Sequence, residues 1–334
     1  MSIKKTKVLV TGGSGYIGSC LASYLTANFS VFTLDKKDRS IFIQKNIKHF
    51  KININNKDKI IKVIKKIKPE FVIHLAAQST IDMVDKKKNL YDKNNYQATK
   101  NLVEVIQNLR IPNLIFASTA AVYKEKKNKI KENSKIFSKN SYGKTKIKCE
   151  NLIKKLNPNI TKYCILRFFN VSSCYKNKKI GEFHNPETHL IPITIQAIFS
   201  QKKLHIYGDN YPTKDGTCNR DYIHVVDILR GIKKSIYYLS KKSNKSDIFN
   251  LGSGKFYSVL DVLKASFKET KNKTIILRKK KRKFDCSHLS CDINKAKKKL
   301  KWSPRFSNLK KIIRDEIWWL NYLNKKKLKR KIIY

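Results

Sequence analysis

The sequence predicts an α/β protein: a Rossmann-type doubly wound parallel sheet with a smaller mixed α/β region attached. Three observations carry that reading. Short apolar runs alternate with segments of helical apolar spacing through the first half of the chain. A glycine-rich turn, Thr11-Gly12-Gly13-Ser14-Gly15-Tyr16-Ile17-Gly18, follows the first such run and opens the first such helix. Past Phe169 the alternation loosens, and turns such as Tyr207-Gly208-Asp209-Asn210-Tyr211-Pro212 appear.

In order along the chain, residues 8–10, 31–34, 49–52, 71–75, 114–117 and 163–166 read as buried strands. Between them, residues 17–27, 57–67, 99–108 and 142–156 place apolar side chains on one helical face. Strand–helix alternation of this kind means parallel strands joined by right-handed crossovers. Further helices are expected over 191–199, 226–238 and 259–270. The expected division is a dinucleotide-binding domain over 1–170 and a substrate-binding domain over 171–334, with room for segments of the second to return to the first.

Composition narrows the class. The 334 residues are 41% hydrophobic with three tryptophans, enough for a substantial core. No apolar run reaches the ~18 to 20 residues of a membrane span, so no membrane partner is expected. The N-terminus leads into a strand without a signal-peptide apolar region, and the expected location is cytoplasmic. Lys+Arg 74 against Asp+Glu 24 gives a net charge of +50. The lysines are spread through 57–68, 124–131 and 271–283 rather than held on one face, and 325–331 reads as a solvated tail. Enrichment of lysine, asparagine and isoleucine together fits an A+T-rich coding sequence, so no specific nucleic-acid partner is expected. Seven cysteines show no CxxC pair; Cys286, His288 and Cys291 lack a second pair, so free thiols and no metal site are expected.

The glycine turn has a defined chemistry. Gly12 permits the tight turn, Gly15 lets backbone approach a pyrophosphate, and Gly18 lets helix and strand pack closely. The diphosphate then meets free N–H groups and a positive helix end. Asp35, ending the second strand, suits the adenosine ribose hydroxyls and repels a 2′-phosphate, which favours NAD over NADP despite Lys36, Lys37 and Arg39. Further on, Tyr142 and Lys146 stand four residues apart and share one helix face. A free phenol near pKa 10 is a poor base; a neighbouring ammonium and a positive nicotinamide are expected to lower it. Thr119, where a central strand ends in Phe116-Ala117-Ser118-Thr119-Ala120-Ala121, supplies a hydroxyl for the substrate oxygen, with Ser118 supporting the backbone.

These residues resemble the extended short-chain dehydrogenase/reductase family, and within it the nucleotide-sugar 4-epimerases. Leu166-Arg167-Phe168-Phe169-Asn170, the block from His205-Ile206-Tyr207-Gly208 through Asn219-Arg220-Asp221-Tyr222-Ile223-His224, and Asn250-Leu251-Gly252-Ser253-Gly254 extend the likeness over nearly the whole chain. The resemblance implies an NAD-dependent isomerase that inverts C4 between UDP-glucose and UDP-galactose through a transient 4-keto sugar, acting as a homodimer. It implies that Tyr142, Lys146 and Thr119 are catalytic and also touch NAD. Tyr16, Ile17, Leu75, Ala76, Ala77, Asn94, Asn95 and Phe169 would line that cofactor, with Asn53 and Ile54 at its adenine. Arg220 and Arg282 would clamp the UDP diphosphate, a role suited to planar, permanently charged donors. Asn170 would sit on the phosphate, and Leu190, His205, Tyr207, Tyr222 and Asp285 around the nucleotide. Leu289 falls where residue size governs room for a 2-N-acetyl group, which leaves UDP-N-acetylglucosamine 4-epimerisation as the alternative. Nucleotide-sugar 4,6-dehydratases carry an acid just after the threonine; Ala120 and Ala121 stand there. Asn53, Ser79 and Lys124 depart from the usual aspartate, lysine and glycine.

Overall fold

The computed structural model describes residues 5–40, 42–44, 46–79, 88–184, 186–282 and 285–328. Six of the predicted runs form strands: β1 (Lys7–Thr11), β2 (Ser30–Asp35), β3 (Lys48–Lys51), β4 (Phe71–His74), β5 (Asn113–Thr119) and β6 (Lys162–Phe168). With the strand Asp247–Leu251 they make one seven-stranded parallel sheet, ordered Asp247–Leu251, β6, β5, β4, β1, β2, β3. The order reverses beside β1, so a crevice opens at the carboxyl ends of β1 and β4.

Side-chain alternation along each strand feeds two cores. Val8 and Val10 of β1 join Cys20, Leu21 and Leu25 of helix α1 (Tyr16–Leu25) on one face. Leu9 points the other way, into a cluster with Ile60 and Ile64 of α2 (Lys57–Ile67). Asn56 caps α2 by accepting from the Lys59 N–H, and Lys68 closes it in a left-handed conformation. A four-residue helix α3 (Lys88–Tyr91) runs into a π-helical stretch, Asp92–Gln97, and then α4 (Ala98–Asn108). Helix α5 (Ser141–Lys154) follows the long loop after β5, its N-terminus capped by Asn140 on the Gly143 N–H at 2.8 Å.

Two segments beyond residue 170 return to the sheet: the helix Val225–Ser240, whose Ile228, Leu229, Ile232 and Ile236 enter the first core, and the strand Asp247–Leu251 on β6. The remaining chain forms small sheets around the carboxyl end. Asn170–Ser172 pairs with Tyr222–His224, Leu204–Tyr207 with Ile276–Lys279, and Asn219–Arg220 lies between Tyr257–Ser258 and His288–Leu289. Buried Asp227 receives the Arg305 and Phe306 N–H groups and the Ser307 hydroxyl, which ties the helix Val225–Ser240 to the C-terminal segment. An amphipathic helix, Leu309–Lys325, buries Trp319, Leu320 and Leu323. Lys325, first residue of the expected solvated tail, ends that helix; Lys325, Lys326 and Lys327 are exposed, and positions 329–331 lie outside the described residues. No described helix is long and apolar enough to cross a membrane.

Candidate active site

The glycine turn is shaped for close approach. Gly12 has φ +73°, and a Cβ there would stand 2.6 Å from the Ala76 N. A Cβ on Gly18 would fall 2.0 Å from the Gly12 carbonyl oxygen, so α1 can leave β1 this tightly only with glycine. Gly15 precedes α1 with no side chain capping it, which leaves the first helical N–H groups facing the crevice. Asp35 closes the far side: its carboxylate accepts the Ser14 N–H at 3.1 Å and the Lys37 N–H at 3.0 Å. Tyr16 turns away beneath the turn and donates to the Ser173 carbonyl at 2.5 Å, while Ile17 packs on the first core. Asn53 spends its side-chain oxygen on the Asn55 N–H, two residues past the strand that borders Asp35, and Ile54 is buried.

The opposite wall comes from β4 and the π-helical stretch. Leu75 and Ala76 hang from Thr11 through N–H contacts of 3.2 and 3.4 Å to its carbonyl and hydroxyl. Asn95 is buried and grips the loop after Ala77, accepting the Gln78 N–H at 2.7 Å and donating to its carbonyl at 3.2 Å. Its neighbour Asn94 stays half-buried without such a grip. The wider i→i+5 turn re-aims consecutive side chains here. Phe169 is buried, its N–H bonded to the Leu251 carbonyl.

Thr119 ends β5 and Tyr142 lies in the first turn of α5, where the Thr119 hydroxyl is near enough to the phenol to favour its ionised form. The approach depends on Gly143: a Cβ there would lie 2.1 Å from Ser138 Oγ and 2.5 Å from the Ala121 carbonyl oxygen. Lys146 stands one turn along α5, its ammonium donating to the Ala117 carbonyl at 2.8 Å and resting 4.6 Å above the Phe116 ring. The protein's own groups do not by themselves supply the expected lowering of the phenol. Burial pushes Tyr142 up to about 12, with the Thr119 hydrogen bond working the other way. Burial brings Lys146 down to about 8. The Lys146 ammonium is turned to a carbonyl and a ring.

On the far side, the small sheets collect the remaining predicted residues. Pairing sets Arg220 beside Leu289, and the Arg220 guanidinium is paired with Asp285. Arg282 stacks its guanidinium 3.9 Å over Tyr207, and His205 shares that strand. Asn170 pairs with Tyr222, and Leu190 opens the helix Leu190–Phe199. Each arginine has a protein partner, Asp285 for Arg220 and the Tyr207 ring for Arg282.

Residues 8–252 match the NAD dependent epimerase/dehydratase family. The chain belongs to that family. It is similar to the UDP-glucose 4-epimerase of Lacticaseibacillus casei, 35% identical over 327 residues, covering 93% of this chain and 96% of that one. Its fold is similar to that of the UDP-glucose 4-epimerase of Bifidobacterium longum solved with NAD+ and UDP: TM-score 0.88, 27% identity, covering 97% and 99% of the two chains. It also resembles the UDP-Glc/GlcNAc 4-epimerase of Campylobacter jejuni, TM-score 0.80 at 30% identity, covering 95% and 99%.

Behind this epimerase/dehydratase site lies a buried polar lattice that spacing alone did not reveal. Ser118 donates to Glu150 at 2.6 Å, and Arg167 makes two hydrogen bonds to the same carboxylate at 2.9 and 2.6 Å. Arg167 also donates to the Tyr123 hydroxyl, which reaches the Asn250 side chain at 2.7 Å. Glu150 is one turn beyond Lys146, so the family's Tyr-x-x-x-Lys helix is bolted to β5 and β6 directly behind Thr119. Tyr91 was also missed; its ring centroid is 5.9 Å from that of Tyr142.

Proposed function

We infer that this chain is an NAD-dependent epimerase that interconverts UDP-glucose and UDP-galactose at C4 through a transient 4-keto sugar. The observation that carries the reading is the hydroxyl pair of Thr119 and Tyr142, held at the end of β5 on the same sheet edge as the glycine cradle of β1 and α1. The cradle fits NAD: Gly12 and Gly18 let the turn close tightly on Ala76 and α1, Gly15 leaves backbone open to a pyrophosphate, and Asp35 is placed for ribose hydroxyls. Bound there, NAD supplies an acceptor and donor of hydride.

The chain's own residues do the rest. Thr119 holds the sugar 4-hydroxyl and Tyr142 Oη takes its proton, then returns it after the sugar has turned. Lys146 carries a positive charge on the same helix face as Tyr142, and with a positively charged nicotinamide bound in the cradle the phenol would be lowered. Arg220 and Arg282 hold the diphosphate once Asp285 and Tyr207 yield them, with Asn170, Leu190, His205 and Tyr222 around the nucleotide. A firmly anchored nucleotide with a loosely held sugar is what inversion on one cofactor requires. Leu289, 9% exposed beside Arg220, supports UDP-N-acetylhexosamines as a second substrate pair, because a leucine limits the space without closing it.

The proposal also divides the labour between residues 1–170, with the two returned segments, and the remainder of 171–334. A homodimer through the exposed faces of α4 and α5 and a cytoplasmic location belong to it; the seven free cysteines support a reducing compartment. Purified protein given UDP-galactose without added cofactor should form UDP-glucose. Loss of less than tenfold in kcat for Tyr142→Phe would sink the catalytic assignment, and sedimentation measures the dimer.

A further inference from the structure

A second constellation sits outside the hydroxyl pair, on the segment leading into the helix Leu190–Phe199. Glu182, His184, Glu187 and His189 turn one donor atom each toward a common point, all within 4.8 Å of one another. His184 Nδ1 lies 2.9 Å from Glu182 Oε1 and 3.8 Å from Glu187 Oε2. His189 Nδ1 lies 2.7 Å from Glu182 Oε1 and 3.0 Å from Glu187 Oε1. A tetrahedral zinc with bonds near 2.0 to 2.1 Å separates its ligand atoms by roughly 3.3 Å, and the nitrogen–oxygen spacings, measured to one oxygen of Glu182 and either oxygen of Glu187, bracket that value. Imidazole nitrogen and carboxylate oxygen are both zinc donors.

We propose that Glu182, His184, Glu187 and His189 form a four-ligand site for a divalent transition-metal ion, zinc by preference. Charge supports the geometry. Both glutamates are fully buried, and two buried carboxylates call for two positive charges, which one divalent ion supplies. The histidine side chains are 29% and 49% exposed, which leaves an entry route on one side.

The surroundings already fix the ligands. Glu187 Oε1 accepts the Thr188 and His189 N–H groups at 2.8 and 3.0 Å, and the Trp319 indole donates to the Glu182 carbonyl at 2.6 Å. Tyr16 of the glycine turn stands edge-on to His184, ring centroids 6.2 Å apart. An ion here would pin the approach to Leu190 against the floor of the cofactor cradle, a structural rather than chemical duty for a site with four protein ligands. The spacing Glu-x-His-x-x-Glu-x-His is present in the sequence.

The test uses the full-length protein purified without a histidine tag, stripped by chelator and titrated with Zn²⁺ or Co²⁺. One ion per chain should survive gel filtration by elemental analysis, Co²⁺ should give the visible absorption of a tetrahedral site, and Zn²⁺ should raise the thermal midpoint. His184→Ala and Glu187→Gln should each weaken binding at least tenfold and remove the thermal shift. His189→Gln, at the half-exposed position, serves if either variant is misfolded by circular dichroism. Less than stoichiometric zinc in the parent, or one zinc bound equally by parent and folded variants, would overturn the proposal. Its readout is metal content, so it stands or falls independently of the epimerase reading.

Discussion

Gly143→Ala adds one methyl group at the point where α5 meets the turn after β5. Its Cβ would stand 2.5 Å from the Ala121 carbonyl oxygen and 2.1 Å from Ser138 Oγ. Ser138 can rotate away. The carbonyl belongs to the backbone that carries Thr119, so opening that gap to the 3.4 Å of ordinary contact moves one element about 0.9 Å. A misplacement of about 1 Å at reacting groups costs about a hundredfold, or ~2.7 kcal/mol in the barrier. Overpacking costs about 1 to 3 kcal/mol of stability, partly offset by the ~1 kcal/mol helical advantage of alanine over glycine. We therefore expect kcat to fall about a hundredfold in a coupled assay of UDP-galactose conversion, with the thermal midpoint changed by only a few degrees. Ser138→Gly added to Gly143→Ala should recover little, because the carbonyl remains. A folded Gly143→Ala enzyme within threefold of the parent kcat would refute the claim that this approach sets the Thr119–Tyr142 geometry.

Thr119→Val should leave the fold intact yet lower kcat on the order of 10²-fold, and an unchanged kcat with raised KM would make Thr119 a binding residue only. Arg167→Met breaks a buried ion pair and strands Glu150, so denaturant unfolding should show a loss of about 3 to 5 kcal/mol. His74, wedged between the Thr11 and Thr99 hydroxyls, is pushed down to about 3 by burial, with the Lys146 charge adding to it. Its unfolded value near 6.5 lies higher, so the unfolded chain takes up the proton first and stability is full above pH 6.5 and lost as pH falls toward 3. That linkage has a ceiling of roughly 5 kcal/mol, and the pH 6.5 to 4 slope of unfolding free energy should flatten in His74→Gln relative to the parent. Asp35→Ala should weaken NAD by tenfold or more in a fluorescence titration and narrow its margin over NADP, because the carboxylate both orders the Ser14 N–H and repels a 2′-phosphate.

The doubly wound sheet was legible because its central strands bury both faces and leave an unbroken apolar signature, as Phe71, Val72 and Ile73 do. The strand Asp247–Leu251 was not, since Asp247, Asn250 and the polar residues around it hide an edge strand's pattern. Helix Leu309–Lys325 was masked by lysines on its outer face, although its inner face buries Trp319. At the site, Tyr142, Lys146 and Thr119 stand out by spacing and by their place at a strand end. What they do to one another depends on burial and on where an ammonium points, and neither is written in a spacing. The π-helical turn that puts Asn95 rather than Asn94 on the Gln78 backbone is likewise invisible to a count of 3.6 residues per turn.

The outermost parallel strand, Asp247–Leu251, has an implication for synthesis. Its neighbour β6 ends at Phe168, so the ribosome must add about eighty further residues before that flank can be covered. At about 5 to 20 residues per second, the emerging polypeptide carries a naked β-edge for roughly 4 to 16 s. Chains stalled or truncated in that window should be the ones that chaperones hold and that aggregate when none is present.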